Sequence, residues 1–195
     1  MNHDDLLYQC LNALSPVHAS DFALSDGLWK KRDMEKGEMF NTAGQVCKSF
    51  ALVKKGLFRI YYVDPGSLQE VNLFFFLAPA FMVSLKSFTA QIPCQYHMEA
   101  MEDSELVEIS YTDLTGLYSA SHAWERFGRI VAEHSFLLNQ MRTESLLFLS
   151  AEARYLQFLH RQPELFNRVP LYHLSSYLGI RSPSLSRIRK RLSQG

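Results

Sequence analysis

LYHLSSYLGIRSPSLSRIRKRLSQG, residues 171–195, decides the reading of this chain. Counted from Leu171 as position one, Gly179 falls at position nine. Apolar residues stand at four, eight, ten, fifteen and eighteen: Leu174, Leu178, Ile180, Leu185 and Ile188. That spacing predicts a helix-turn-helix, two short helices joined by a tight turn. Glycine supplies the positive φ such a turn needs. Ser175 offers a small side chain where the two helices approach. Ser182 is placed to cap the second helix, with Pro183 at its first helical position, where the missing N–H costs nothing. In that helix Ser184, Arg187, Lys190 and Arg191 are expected outward, and Leu185, Ile188 and Leu192 inward.

The charge distribution supports a polyanionic partner for this segment. The 195 residues carry 20 Lys+Arg and 20 Asp+Glu, a formal net charge of zero. Residues 1–148 hold 12 Lys+Arg against 18 Asp+Glu, whereas residues 149–195 hold 8 against 2. An acidic body with a basic end fits a molecule that meets a polyanion at one place only. Charge alone is equally consistent with a solvated basic tail; the helix-turn-helix pattern favours the polyanion.

Upstream, the period of the apolar residues changes twice. Leu6, Leu7, Cys10, Leu11 and Leu14 recur at helical spacing, and Ser15-Pro16 ends that helix. A second short helix is expected near Ala19–Leu28. From Trp29 to about Ile109 come short apolar runs separated by Gly- and Pro-containing turns. LFRIYYV (57–63) and VNLFFFL (71–77) flank DPGSLQE and read as a hairpin. Residues 95–110 alternate on both sides of a Glu-Asp turn. Strands so spaced predict a β-sandwich or rolled sheet. Helix returns at residues 111–114, with Thr112 or Asp113 as cap. From Ala123 to Leu149 there is no proline, and Phe127, Val131, His134, Leu138, Met141, Ser145 and Phe148 follow the 4-3 spacing of a heptad seam. A second stripe runs beside it through Trp124, Ile130, Leu137 and Leu147. The two stripes fit a helix packed on the β-roll and paired with a partner helix, though a core helix with a wide apolar face has the same pattern. His134 reads as a packed histidine rather than a ligand. Ser150 caps a further helix, Ala151–His160, closed by Gln162-Pro163.

Several classes are disfavoured. The three cysteines, Cys10, Cys47 and Cys94, are odd in number and lack a CxxC pair, so they read as reduced thiols rather than a disulfide framework or zinc site. The N-terminus carries acids where a signal peptide would carry positive charge. The apolar stretch 73–85 contains Pro79 and is too short to span a bilayer. No Gly-rich phosphate loop, HExxH or GxSxG occurs. The expectation is a cytoplasmic protein without a membrane partner or enzymatic activity.

The order β-roll, long helix, helix-turn-helix resembles the Crp/Fnr family of bacterial transcription regulators over nearly the whole chain. KKRDMEKGEMFNTAGQVCKSFALVKKGLFRIYYVD (30–64) resembles the opening strands of the family's cyclic-nucleotide-binding-type domain. Residues 123–149 resemble its dimer helix, and YLGIRSPSLSRIRKRL (177–192) its recognition helix. The resemblance implies an α+β chain with three parts: an effector β-roll (1–118) of double-stranded β-helix or jelly-roll type, a long dimerisation helix (119–149), and a winged-helix-type helix-turn-helix (150–195). It implies a homodimer on a two-fold symmetric double-stranded DNA operator, with RNA polymerase as a further partner. The implied DNA-binding set is Arg181, Ser182, Ser184, Ser186, Arg187, Arg189 and Lys190. Arg187 matches the family's base-reading arginine. The implied dimer interface is Phe127, Val131, His134, Leu138 and Met141.

Two departures qualify the resemblance. Members that bind cyclic nucleotides carry a Gly-Glu pair and then an arginine with a small hydroxyl residue; the arginine's fork suits a cyclic phosphate. Here no glycine lies between Gly66 and Gly116, and no arginine between Arg59 and Arg126. The corresponding stretch, LAPAFMVSLKSFTAQIPCQ (77–95), has Lys86 as its only cation, beside Ser84 and Ser87. Lys86 is either a surface lysine or, with those two serines, the mark of a pocket for another anion. Cyclic AMP and cyclic GMP are not expected as ligands. Neither are an iron–sulfur cluster or haem, since only Cys10 lies near the N-terminus and no histidine stands out as an axial ligand. No cofactor is expected. The second departure is the end of the chain, where the family's β-hairpin wing is expected to be missing or reduced, with Arg189, Lys190 and Arg191 supplying phosphate contacts in its place. A dimer of the same fold that senses a ligand or scaffolds without binding DNA is the rival reading.

Overall fold

The computed structural model describes residues 5–192. The expected loss of the wing concerns chain past Leu192, which lies outside the described residues, as does the start of the acidic N-terminus. The chain divides into two compact units, residues 1–60 with 75–136 and residues 61–74 with 137–195.

The first unit opens with α1 (Asp5–Leu14), whose Leu7 and Leu11 are buried, then α2 (Ala19–Phe22) and a 3₁₀ turn (Ala23–Ser25). Eight strands follow: β1 (Lys30–Met34), β2 (Met39–Asn41), β3 (Ser49–Lys55), β4 (Leu57–Val63), β5 (Glu70–Leu77), β6 (Ala80–Met82), β7 (His97–Ala100) and β8 (Ser104–Ser110). They form two four-stranded sheets, ordered β1-β8-β3-β6 and β2-β7-β4-β5. The expected strands 57–63, 71–77 and 95–110 are present as β4, β5, β7 and β8. The hairpin tip, residues 61–74, belongs with the second unit. In that tip Asp64 Oδ1 accepts from Ser67 N at 2.7 Å and from Gly66 N at 3.1 Å, and these donors hold its carboxyl below the usual range.

Gly56 alone joins β3 in one sheet to β4 in the other, at φ +101°. Its N-terminal neighbours Phe50–Val53 and its C-terminal neighbours Leu57–Tyr61 are buried in unbroken runs, so these strands are covered on both faces. A Cβ at Gly56 would stand 2.0 Å from Ser104 Oγ and 2.9 Å from Ser104 Cα. The clash with backbone cannot be relieved by rotating a side chain. Gly56→Ala is expected to destabilise the first unit by about 3 kcal/mol or more, from strain plus overpacking, as read by urea unfolding. A loss under about 1 kcal/mol would contradict this packing.

Three helices complete the first unit's helical cover: α3 (Leu85–Ala90), α4 (Tyr111–Ala120) and the start of α5 (His122–Phe148). The α4 cap differs from the expected Thr112 or Asp113. Ser110 Oγ accepts from Asp113 N at 3.1 Å and donates to Asp113 Oδ2 at 2.6 Å, so the cap lies earlier and Asp113 answers it from the first turn. In α5, Trp124 and Phe127 are fully buried. Phe127 meets Phe81 at 5.4 Å and Phe50 at 5.9 Å between ring centroids, and Trp124 Nε1 donates to Asp21 O at 2.9 Å.

The second unit comprises the later turns of α5, α6 (Ala151–Arg161), α7 (Pro163–Arg168), α8 (Leu171–Leu178) and α9 (Ser182–Leu192) with the hairpin tip. Ser150 caps α6 as expected, its Oγ accepting from Ala153 N at 3.2 Å. Pro163 does not simply close α6; it stands in the first turn of α7, a permitted place for proline. No helix of the described residues is long and apolar enough to cross a membrane.

Candidate nucleic-acid interface

Helices α8 and α9 are joined through Gly179 at φ 62°, ψ 39°, the left-handed conformation the sequence required. Ile180 N donates to Ser175 O at 2.9 Å and closes the turn. Leu174, Ser175, Leu178, Ile180 and Leu185 are buried, as the helix-turn-helix spacing predicts. Ile188 is half-buried and Leu192 exposed. Ser182 does not act as the expected cap. Its Oγ lies 2.8 Å from Ser175 Oγ, a hydroxyl pair that ties the two helices together, and α9 instead starts on the Arg181 carbonyl, which accepts from Ser184 N and Leu185 N.

The turn is clamped from α6 by a residue that spacing did not single out. Arg154 Nε donates to Leu178 O at 2.8 Å, Nη2 to Gly179 O at 3.1 Å, and Nη1 to Leu149 O at 2.7 Å. It thereby satisfies carbonyls left without intrahelical partners at the end of α8.

The cations of α9 divide into two sets. Arg187 is exposed, with Nη2 3.3 Å from Ser184 Oγ. Arg181, Ser186 and Lys190 are also exposed. Arg189 turns back, its guanidinium 4.6 Å from the Phe166 ring centroid. Arg191 pairs with Glu152. Arg187 and Lys190 are thus exposed one turn apart on α9, while the guanidinium of Arg189 lies over Phe166 of α7 and that of Arg191 pairs with Glu152 of α6.

Residues 31–121 match the cyclic nucleotide-binding domain family. Among solved structures, FixK2 from Bradyrhizobium japonicum is similar at 14% identity over 85% of each chain, with a TM-score of 0.73. The c-di-GMP-responsive global regulator CLP from Xanthomonas campestris is similar at 18% identity, covering 91% of this chain and 92% of its own, with a TM-score of 0.71. A transcriptional regulator assigned to the Crp/Fnr family from Eubacterium rectale is similar at 16% identity, covering 91% of this chain and 84% of its own, with a TM-score of 0.72. The chain has the Crp/Fnr regulator fold. Among curated proteins, none matches the sequence.

Within the Crp/Fnr fold, the expected effector residues lie on α3 and the residue before it. Ser84 is buried, with Oγ 3.0 Å from Cys94 Sγ. Ser87 Oγ accepts from Cys47 N at 2.9 Å and donates to Ile92 O at 2.6 Å. Both hydroxyls are thus engaged by the protein itself, and only Lys86 is exposed. The buried Arg59 donates through Nε and Nη2 to Glu99 Oε2, at 2.9 and 2.6 Å. Among the described residues, no group of three or more His, Cys, Asp or Glu side chains is placed to hold a metal ion.

The five residues expected at the dimer interface fall in different surroundings. Phe127 is 0% exposed, consumed by the β-roll core, so it has no surface to offer a second chain. Val131 is half-buried; His134, Leu138 and Met141 are exposed. Phe136, Leu137, Leu147 and Phe148 extend this exposed apolar surface toward the end of α5.

The hairpin tip supplies a further element of the second unit. Asn72 is fully buried. Its N–H donates to Ser176 Oγ at 2.9 Å, and Ser176 Oγ donates to Glu70 O at 2.8 Å. Asn72 Nδ2 lies 3.2 Å from His173 Nδ1. Arg142 from α5 donates to Asn72 O at 3.1 Å and Tyr177 O at 2.8 Å while stacking on the Tyr177 ring at 4.3 Å. Arg142 therefore bridges hairpin, α5 and α8.

Proposed function

We propose that the chain is a homodimeric, DNA-binding transcription regulator of the Crp/Fnr type that responds to neither cyclic AMP nor cyclic GMP. The observation that carries the reading is the helix-turn-helix with Arg187 and Lys190 on the exposed face of its second helix. An exposed helix bearing cations fits the major groove, where arginine can donate two hydrogen bonds to guanine O6 and N7. Lysine at Lys190 suits a phosphate as a point charge. The homodimer reading rests on the exposed apolar residues Leu138, Met141 and Leu147 of α5, for which a second copy of the same helix is the occupant this fold suggests. Insensitivity to cyclic nucleotides rests on the missing arginine and on the internal engagement of Ser84 and Ser87. The protein acts in the cytoplasm as a regulator, without catalysis, and RNA polymerase is its further partner.

The test is binding to a library of operators differing by single base pairs, at two salt concentrations. Arg187→Ala is expected to cost about 1–3 kcal/mol per half-site and to flatten preference at one base pair. Lys190→Ala is expected to weaken all sequences alike and to reduce the salt slope by roughly one unit for each phosphate it no longer neutralises. If Arg187→Ala weakens every sequence equally, Arg187 is a phosphate clamp and not a base reader.

A further inference from the structure

Helix α9 turns one side to its own unit and the other to solvent. Leu185 is buried and Ile188 half-buried on the inner side. At about 100° per residue, Pro183, Ser186, Arg187 and Lys190 fall together on the opposite side. All four are exposed. Arg187 and Lys190 bring charge to this stripe and Ser186 a hydroxyl. Pro183 is its apolar member and stands at its N-terminal end. The backbone admits a proline there. The Arg181 carbonyl accepts from Ser184 N at 2.9 Å and Leu185 N at 3.0 Å, so an N–H at position 183 would precede the first helical acceptor.

We infer that, on the DNA-binding reading of α9, Pro183 is a specificity-determining residue that packs on the C5 methyl group of a thymine in each operator half-site. In a helix-turn-helix the N-terminal residues of the second helix reach the base edges. Pro183 offers no side-chain donor or acceptor and no backbone N–H, so it can donate to neither a phosphate nor a base. Set against the amino group of cytosine or adenine, or against guanine O6, its ring would take a polar edge out of water and replace none of the lost hydrogen bonds. Thymine is the base that presents an apolar group in the major groove. From Pro183 to Arg187 the helix rises about 6 Å, and bases follow one another every ~3.4 Å along a strand, so this thymine lies within about two base pairs of the guanine assigned to Arg187. What is recognised is the methyl group, which 5-methylcytosine carries at the same ring position.

The experiment takes the duplex that the full chain selects and replaces its thymines by deoxyuridine, one symmetric position at a time. That exchange removes the methyl group and keeps every hydrogen-bonding group of the base. At one position beside the Arg187 guanine, affinity is expected to fall about fourfold per half-site, the effect of one buried methyl. At that position 5-methylcytosine is expected to bind more tightly than cytosine. Pro183→Gly is expected to bind the thymine and deoxyuridine duplexes alike. Pro183→Glu is expected to move the preference there to cytosine, whose N4 amino group donates to a carboxylate, with the guanine kept. The inference is overturned if the selected duplex has no thymine within about two base pairs of that guanine, if deoxyuridine there binds as thymine does, or if Pro183→Gly still tells them apart. A chain that selects no duplex at all overturns the DNA-binding reading, and this inference with it.

Discussion

Leu138→Glu is expected to convert the protein from dimer to monomer at micromolar concentration. Leu138 is 49% exposed in the single chain, so the substitution leaves folding nearly untouched, within about 0.5 kcal/mol as for other surface changes. In a parallel pair of α5 helices the two new carboxylates would instead face each other out of water. Burying unpaired charge costs several kcal/mol, and even about 3 kcal/mol weakens association roughly a hundredfold. Phe127, though on the same 4-3 spacing, is the wrong residue for this test, because it packs against Phe50 and Phe81 and its loss would unfold the β-roll. Sedimentation velocity with thermal unfolding as control reads the result. A variant that remains dimeric, or wild-type protein that sediments as a monomer, would place the exposed apolar surface of α5 in some other role.

Arg142→Ala is expected to destabilise the second unit by about 3 kcal/mol. Two charge-assisted hydrogen bonds disappear, to the carbonyls of Asn72 and Tyr177, and such bonds contribute about 1.5–3 kcal/mol each. The stacking on Tyr177 adds about 0.5–2 kcal/mol. Against this stands the desolvation of the guanidinium, which pulls its pKa down from the ordinary value and is relieved in the variant. Arg142→Lys is expected to recover less than half of the stability, since an ammonium cannot reach two carbonyls and stack at once. Urea unfolding followed by Tyr fluorescence gives the values. A change below about 1 kcal/mol for Arg142→Ala would mean the bridge contributes little.

Much of the fold was legible in the sequence because local chemistry and global structure agree there. Gly179 supplied the left-handed turn that the two short helices need, and the two apolar runs flanking DPGSLQE read as a hairpin. What escaped was decided by long-range partners. The helical period of Phe127 and Leu138 is the same, yet one meets aromatic rings of the β-roll and the other meets solvent. Arg187 and Arg189 look equivalent as letters, but two residues along a helix turn a side chain about 200°, and Arg189 finds Phe166. Ser182 had the composition of a cap, and the neighbouring hydroxyl of Ser175 took it instead. Arg142, Arg154 and Asn72 carried no spacing signal, because their partners are backbone carbonyls and residues far away in sequence.

The most direct test of a DNA-binding dimer is selection of bound duplexes from a random-sequence pool by the full chain, with sequencing of the enriched fraction. The expected result is a two-fold symmetric motif whose half-site centres lie about one helical turn apart, ~10–10.5 base pairs, because each half-site takes one copy of α9. Arg187→Ala should erase one guanine from each half of that motif. A pool that stays random, or an enriched motif without two-fold symmetry, would contradict the account and favour a dimer whose partner is not DNA in the first case, and a monomeric DNA binder in the second.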